Sequence, residues 1–83
     1  MLYPFLRLED KTEIVHSEIL EGDKVKVVIE KPIEGGFLSA VCYLPQYEWK
    51  DVSGFTQADI DGYQELLESI AHIIIQLARE GGF

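Results

Sequence analysis

The chain has few of the residues on which common functional sites are built. It contains one cysteine, Cys42, so it cannot form an internal disulfide. Its two histidines, His16 and His72, lie far apart in sequence and without a cysteine pair, which is a weak pattern for a metal site. No apolar run approaches the roughly 20 residues that cross a bilayer, and no basic segment precedes an apolar stretch near Met1, as it would in a signal peptide. We therefore expect a cytoplasmic protein with no metal and no cofactor.

Basic residues are also scarce, since seven lysines and arginines stand against fifteen acids and give a formal net charge of -8. The segment from Asp51 to Ala78 holds five acids and neither lysine nor arginine. Affinity for a phosphate backbone comes from clustered lysine and arginine, so direct binding to nucleic acid is not expected. A basic protein partner would be attracted to this segment, although a net negative surface also serves solubility alone.

Alternating apolar residues predict four β-strands joined by short turns. Pro4 cannot donate to a ladder, which places the first strand at a sheet edge. In the third strand Val28 breaks the alternation, because it shares a side with Lys26 and Glu30. Short turns favour antiparallel neighbours in the order 1-2-3-4, with the fourth strand at the other edge. The predicted strands are 2–8, 13–19, 24–30 and 37–44, and residues 31–36 are predicted to return the chain.

A long C-terminal helix is predicted from Thr56 to Glu80. Thr56 is a favourable N-cap, and Asp59 stands three residues later, as in a capping box. Gly81 is the expected left-handed stop, and Gly62 could break the helix. The fold class is thus α+β, a four-stranded antiparallel meander packed by one helix in a single domain, 1–83. The apolar helix positions are Ile60, Tyr63, Leu67, Ile70, Ile74 and Leu77.

Two segments carry more apolar surface than one helix on one sheet requires. On the helix, Ile73 and Ile75 widen the apolar stripe, and Ile75 falls on the same side as the acidic residues. On the fourth strand, the second side is also apolar, because it carries Phe37, Val41 and Tyr43. A second copy would cover this excess, because most soluble oligomers are homo-oligomers. We therefore predict a homodimer through the C-terminal half of the helix or through the fourth strand.

The connection 45–55 is rich in aromatic residues, among them Tyr47, Trp49 and Phe55, and its segment 49–52 could be extended. Tyr47 and Trp49 are candidate interaction residues, since aromatic side chains are frequent anchors at interfaces. Alternatively, the connection folds back over the excess apolar surface. A pocket between it and the helix would instead indicate a small enzyme or a ligand-binding protein.

Candidate catalytic residues are few. Cys42 could act as a nucleophile with His16 as its base, but a cysteine inside an apolar strand is usually a small core residue. Both histidines are expected at the surface, and nothing in the spacing of the carboxylates selects an acid–base pair. We therefore expect no enzymatic activity and name no catalytic residue.

Part of the chain resembles HicB-type antitoxins, through the strand 25–30, the segment 36–45 and the helix opened by Thr56. That resemblance implies a small sheet packed by a helix and a role in neutralising a small basic ribonuclease toxin. Two preceding strands and a longer segment between Pro45 and Thr56 depart from the family pattern. The whole chain also resembles a group of short bacterial proteins of unknown function, through the motifs YPF, VHSE, AVCYLP and EGGF, which implies no activity. Together these features predict a protein-interaction module, with a small basic protein as its candidate partner.

Overall fold

The computed structural model describes residues 1–81, which form five strands and one helix. The predicted domain extends two residues beyond this described part. The elements are β1 (Leu2–Arg7), β2 (Glu13–Ser17), β3 (Val25–Ile33), β4 (Gly36–Leu44), β5 (Glu48–Ser53) and α1 (Gln57–Arg79).

The strands form one antiparallel sheet in the order β1-β2-β3-β4-β5. The predicted α+β class and the order of the first four strands are confirmed, but the strand number is wrong. The additional strand, β5, comes from the aromatic connection, which reverses direction near Tyr47 at a φ of 59° and pairs with β4. The fourth strand is therefore an inner strand, and β5 forms the second edge.

The prediction for the turn after β3 is also wrong. Strand β3 continues to Ile33, and Pro32 lies opposite Phe37 in the ladder. The chain returns only at Glu34 and Gly35, where Gly35 has a φ of 84° that favours glycine. The β3–β4 hairpin is consequently the longest ladder of the sheet.

Strand β1 is an edge strand, as Pro4 predicts. Its simple period of two does not hold, because the register with β2 shifts between Pro4 and Leu6. Leu2 and Leu6 are exposed, whereas Phe5 packs against the core. A bulge adds one residue to a strand, so the side-chain alternation on its two sides is out of phase.

The helix begins and ends as predicted. The Thr56 hydroxyl accepts a hydrogen bond from the Asp59 backbone N–H at 3.1 Å, and the Asp59 carboxylate accepts one from the Thr56 N–H at 2.9 Å. Gly81 follows with a φ of 110°. The helix runs without a break through Gly62. In the described residues it does not combine the length and the apolar character that a membrane-crossing helix needs.

The core lies between α1 and one side of the sheet, which we call the covered face. Ile75, predicted on the solvent side with the acids, is half-buried and packs against this core. The side of the sheet away from α1 is called the open face. The fully or nearly fully buried core residues are Ile14, Val25, Val27, Ile29, Cys42, Leu44, Leu67, Ala71, Ile74 and Ala78.

Candidate functional site

The one thiol of the chain lies on the covered face, where it is shielded from solvent and from reagents. Cys42 is fully buried, and this burial raises the pKa of its thiol to about 12. A nucleophilic cysteine needs the thiolate form, which burial in an apolar environment disfavours. The position of Cys42 therefore agrees with its interpretation as a small core residue.

His16 is also fully buried, so the prediction of a surface histidine is wrong. Its ring lies 6.0 Å from the ring of Tyr3 and 6.2 Å from that of Phe5, and its Nδ1 lies 2.9 Å from the Ser17 carbonyl oxygen. In the ladder Val27 stands between His16 and Cys42. Two strand spacings of about 5 Å separate them, so the imidazole is too far to activate the thiol. His72, by contrast, lies exposed on α1.

The aromatic residues of 45–55 are used in packing on the covered face. Tyr47, Trp49 and Phe55 are half-buried and contact the core. The Trp49 indole N–H donates to Oε1 of Gln64 at 2.8 Å, and the ring of Phe55 meets that of Tyr63 edge-on at 5.2 Å. Burial, together with the negative charge of Glu68, raises the pKa of Tyr47. These side chains pack between the connection and α1, where a ligand-binding pocket would have to lie.

The open face carries an apolar row that crosses four strands in register. Pro4 lies opposite Val15, Val15 opposite Val28, and Val28 opposite Val41. Neighbouring strands are about 5 Å apart, so these four side chains form a continuous strip. In the described residues α1 lies on the other side of the sheet; Pro4 is exposed, Val15 and Val28 are half-buried, and Val41 is buried among its neighbours. Phe37 lies on the same face, four positions from Val41 along β4, and has 65% of its surface exposed.

Charged residues flank the apolar row and balance one another. On the open face, Arg7 lies opposite Glu13, and Lys26 lies opposite Tyr43, which in turn faces Glu48. Lys50 contacts Glu48 at 3.4 Å, and its ammonium lies 5.9 Å from the centre of the Tyr43 ring. The six charges at ladder positions on this face cancel, so the net charge of -8 lies elsewhere on the molecule. They are Arg7, Lys26 and Lys50 with Glu13, Glu30 and Glu48.

One pairing in this arrangement is unfavourable. Glu13 and Glu30 lie directly opposite each other on β2 and β3, and like charges in such positions destabilise a sheet. Arg7 reaches Glu13 at 4.0 Å. Among residues 1–81, neither Lys26 nor Glu30 forms an ion pair.

Two depressions share Arg7 and Glu13 in their linings. One of about 360 Å³ lies where the β1 bulge meets β2 and is lined by residues 4–7 and 13–15. The other, of about 110 Å³, lies between Arg7, Glu30 and Phe37. The charged groups that line the larger depression, Arg7 and Glu13, already contact each other. The smaller depression brings Lys11 and Glu13 beside Arg7 and Glu30.

The outer side of α1 forms the second polar surface. Asp61, Glu65 and Glu68 are exposed and follow one another at helical spacing; we call them the acidic face. Gln57 donates to Asp61 at 2.8 Å and Gln64 to Glu68 at 3.1 Å, which orients two of the three carboxylates. Because no lysine or arginine occurs between Asp51 and Ala78, no basic side chain of α1 offsets them before Arg79.

The seven predicted interaction residues do not form one site. Phe37, Val41 and Tyr43 lie together on the open face. Tyr47 and Trp49 contact the core on the opposite side of the sheet. The remaining two lie on α1, where Ile73 is 42% exposed and Ile75 is half-buried.

The sequence prediction missed the continuation of the open-face strip into Pro4, Val15 and Val28. The available signal was Val28, an apolar residue placed between Lys26 and Glu30. Its meaning depended on the register with β2 and β4, which cannot be inferred from β3 alone.

No three histidine, cysteine, aspartate or glutamate side chains of residues 1–81 are arranged to hold a metal ion. No protein-family model matches the chain, and neither the curated proteins nor the solved structures include a match to it.

Proposed function

We propose that this chain is a non-enzymatic protein-interaction module, antitoxin-like in that its acidic face binds a small basic protein. The observation that carries the proposal is the distribution of charge. The charges of the open face cancel, whereas Asp61, Glu65 and Glu68 lie exposed along a helix that has no basic residue before Arg79. A surface of one sign attracts and orients a partner of the other sign.

The chemistry of the core supports a role in binding rather than in catalysis. Cys42 and His16 are fully buried and two strands apart, and Tyr47 and Trp49 are used in packing. We also propose that the module is a homodimer, which leaves the acidic face of each copy free for its partner.

The test is affinity capture from the source organism with the tagged chain and a charge-reversed variant. In the variant Glu65→Lys/Glu68→Lys, both changes lie on the acidic face. We expect the unaltered chain to retain a small basic protein, and the variant to lose it. Retention should weaken as salt rises above about 0.15 M, where charges farther apart than about 8 Å are screened.

A matched control changes the net charge equally but away from α1. Glu21 and Glu34 are exposed in the turns before and after β3, so the variant Glu21→Lys/Glu34→Lys should capture the same protein as the unaltered chain. Circular dichroism checks that both variants fold. The proposal would be contradicted if both variants lost the captured protein to the same extent. It would also be contradicted if neither the unaltered chain nor either variant captured a basic protein.

A further inference from the structure

We infer that the open face is the interface of the proposed homodimer, with a two-fold axis along the apolar row that sets Lys26 against Glu30 of the partner subunit. This inference rests on the proposed homodimer and specifies its surface and its geometry. It is independent of the basic protein, which would bind the acidic face on the other side of the molecule.

The apolar row supplies the contact. Pro4, Val15, Val28 and Val41 form a strip across the sheet, and two packed sheets bury such strips against each other at about 10 Å. Phe37, exposed four positions from Val41 along β4, adds a large apolar side chain to the same face. Val41 is buried, with 9% of its surface exposed, and Val15 and Val28 are half-buried, so Pro4, Phe37 and the exposed parts of the two valines supply the apolar contact.

The balance of charge indicates that the occupant is a second copy. Each molecule carries a net charge of -8, so two copies repel each other through most approaches. The open face is the exception, because its six ladder charges cancel. A strongly basic partner would gain little here, whereas an identical face meets no net repulsion.

The residues of β3 determine the direction of the axis. β3 is the central strand, and Val28 lies midway between Lys26 and Glu30. A two-fold axis along the strand would set Lys26 on the partner's Lys26 and Glu30 on the partner's Glu30. An axis along the apolar row exchanges the two ends of the strand, so each Lys26 meets the partner's Glu30.

This arrangement also relieves the unfavourable pair in the monomer. Glu30 lies opposite Glu13, and neither Glu30 nor Lys26 has an ion pair within residues 1–81. The partner's Lys26 would supply the missing positive charge. The same axis sets Lys50, which lies opposite Val41 at the end of the row, on the partner's Lys50, and in each copy Glu48 at 3.4 Å offsets that charge.

A charge exchange tests the axis. Light scattering on the full chain at micromolar concentration should give twice 9.4 kDa. Lys26→Glu alone, or Glu30→Lys alone, sets like charges against each other across the interface and should weaken self-association by roughly tenfold or more. The double variant Lys26→Glu/Glu30→Lys should restore the dimer, because each copy again presents opposite charges.

Arg79→Glu is the matched control for Lys26→Glu, since it makes the same change of charge on α1 and should leave the dimer intact.

Carbodiimide coupling of mixed light and heavy-isotope chains gives a second measurement on the unaltered protein. We expect a Lys26–Glu30 link between a light and a heavy chain. A monomeric unaltered chain would overturn both the homodimer and this inference. A dimer that survives both single substitutions and gives no such link would overturn this inference alone.

Discussion

Cys42 lies mid-strand in β4, and its reactivity should depend on unfolding. Burial raises the pKa of its thiol to about 12, compared with about 8.5 for an exposed cysteine. We expect a chromogenic disulfide reagent to react slowly with the folded protein at about pH 8 and rapidly in denaturant, because only opening of the core exposes the sulfur. Equal rates in the two conditions would show that the thiol is accessible in the native state.

Gly54 is the glycine whose substitution should be most damaging. It has a φ of 88°, and a Cβ at this position would overlap the side chain of Leu38. Gly54→Ala should therefore lower the free energy of unfolding by more than about 1 kcal/mol, measured by urea denaturation.

Gly62 provides the contrasting control, because it lies within α1 and a Cβ there would have no atom within 4 Å. Gly62→Ala should raise the free energy of unfolding by about 1 kcal/mol, since alanine favours the helix. If both alanine substitutions shifted the free energy in the same direction, the assigned backbone conformations would be wrong.

The helix α1 depends on its N-terminal capping box. Thr56→Ala removes the side-chain acceptor for the Asp59 N–H and should cost about 1 kcal/mol of folding free energy, measured by urea denaturation. Gln57→Ala, one position later, keeps both hydrogen bonds of the box and serves as the control.

The same capping box predicts a dependence on pH. The hydrogen bond from the Thr56 backbone N–H is the main reason why the pKa of Asp59 lies below its ordinary value of 3.8. A lowered pKa means that this carboxylate stabilises the fold above pH 3.8, and that its contribution disappears as pH falls through the lowered value. Asp59→Ala should therefore lose less stability than the unaltered chain on acidification, as measured by denaturation at a series of pH values. An unchanged acid response would contradict this role.

Across the whole molecule, one core links the sheet to the helix. Leu67 is fully buried within it, so Leu67→Ala should lower the free energy of unfolding by about 2–5 kcal/mol. That is a large share of the stability of a small domain. Trp49 fluorescence, which reports on the sheet and its contact with α1, and helical circular dichroism should show the same midpoint. Ile73→Ala is the control, because Ile73 lies partly exposed on the same helix.

Separate transitions for the two probes would contradict a shared core. If Ile73→Ala were as damaging as Leu67→Ala, the exposed position of Ile73 on α1 would be in doubt, or a second copy would be covering it.

The sequence alone determined the features that depend on local residue order. Apolar periodicity and the caps located α1 to within a residue at each end, and Pro4 placed β1 at an edge. These features depend only on residues a few positions apart. Their spacing sets which side chains share one side of a strand or helix, and whether the free backbone N–H groups at the start of a helix find acceptors.

The tertiary structure decided which face of each element is covered. His16 became a core residue because α1 covers its side of β2, and β5 formed because β4 offered an unpaired edge to a short extended segment. The apolar row arose from the registers of four strands, and a shift of one residue in any of them would have dispersed it. Such contacts join residues far apart in the chain, so their pattern is set by packing and not by local order.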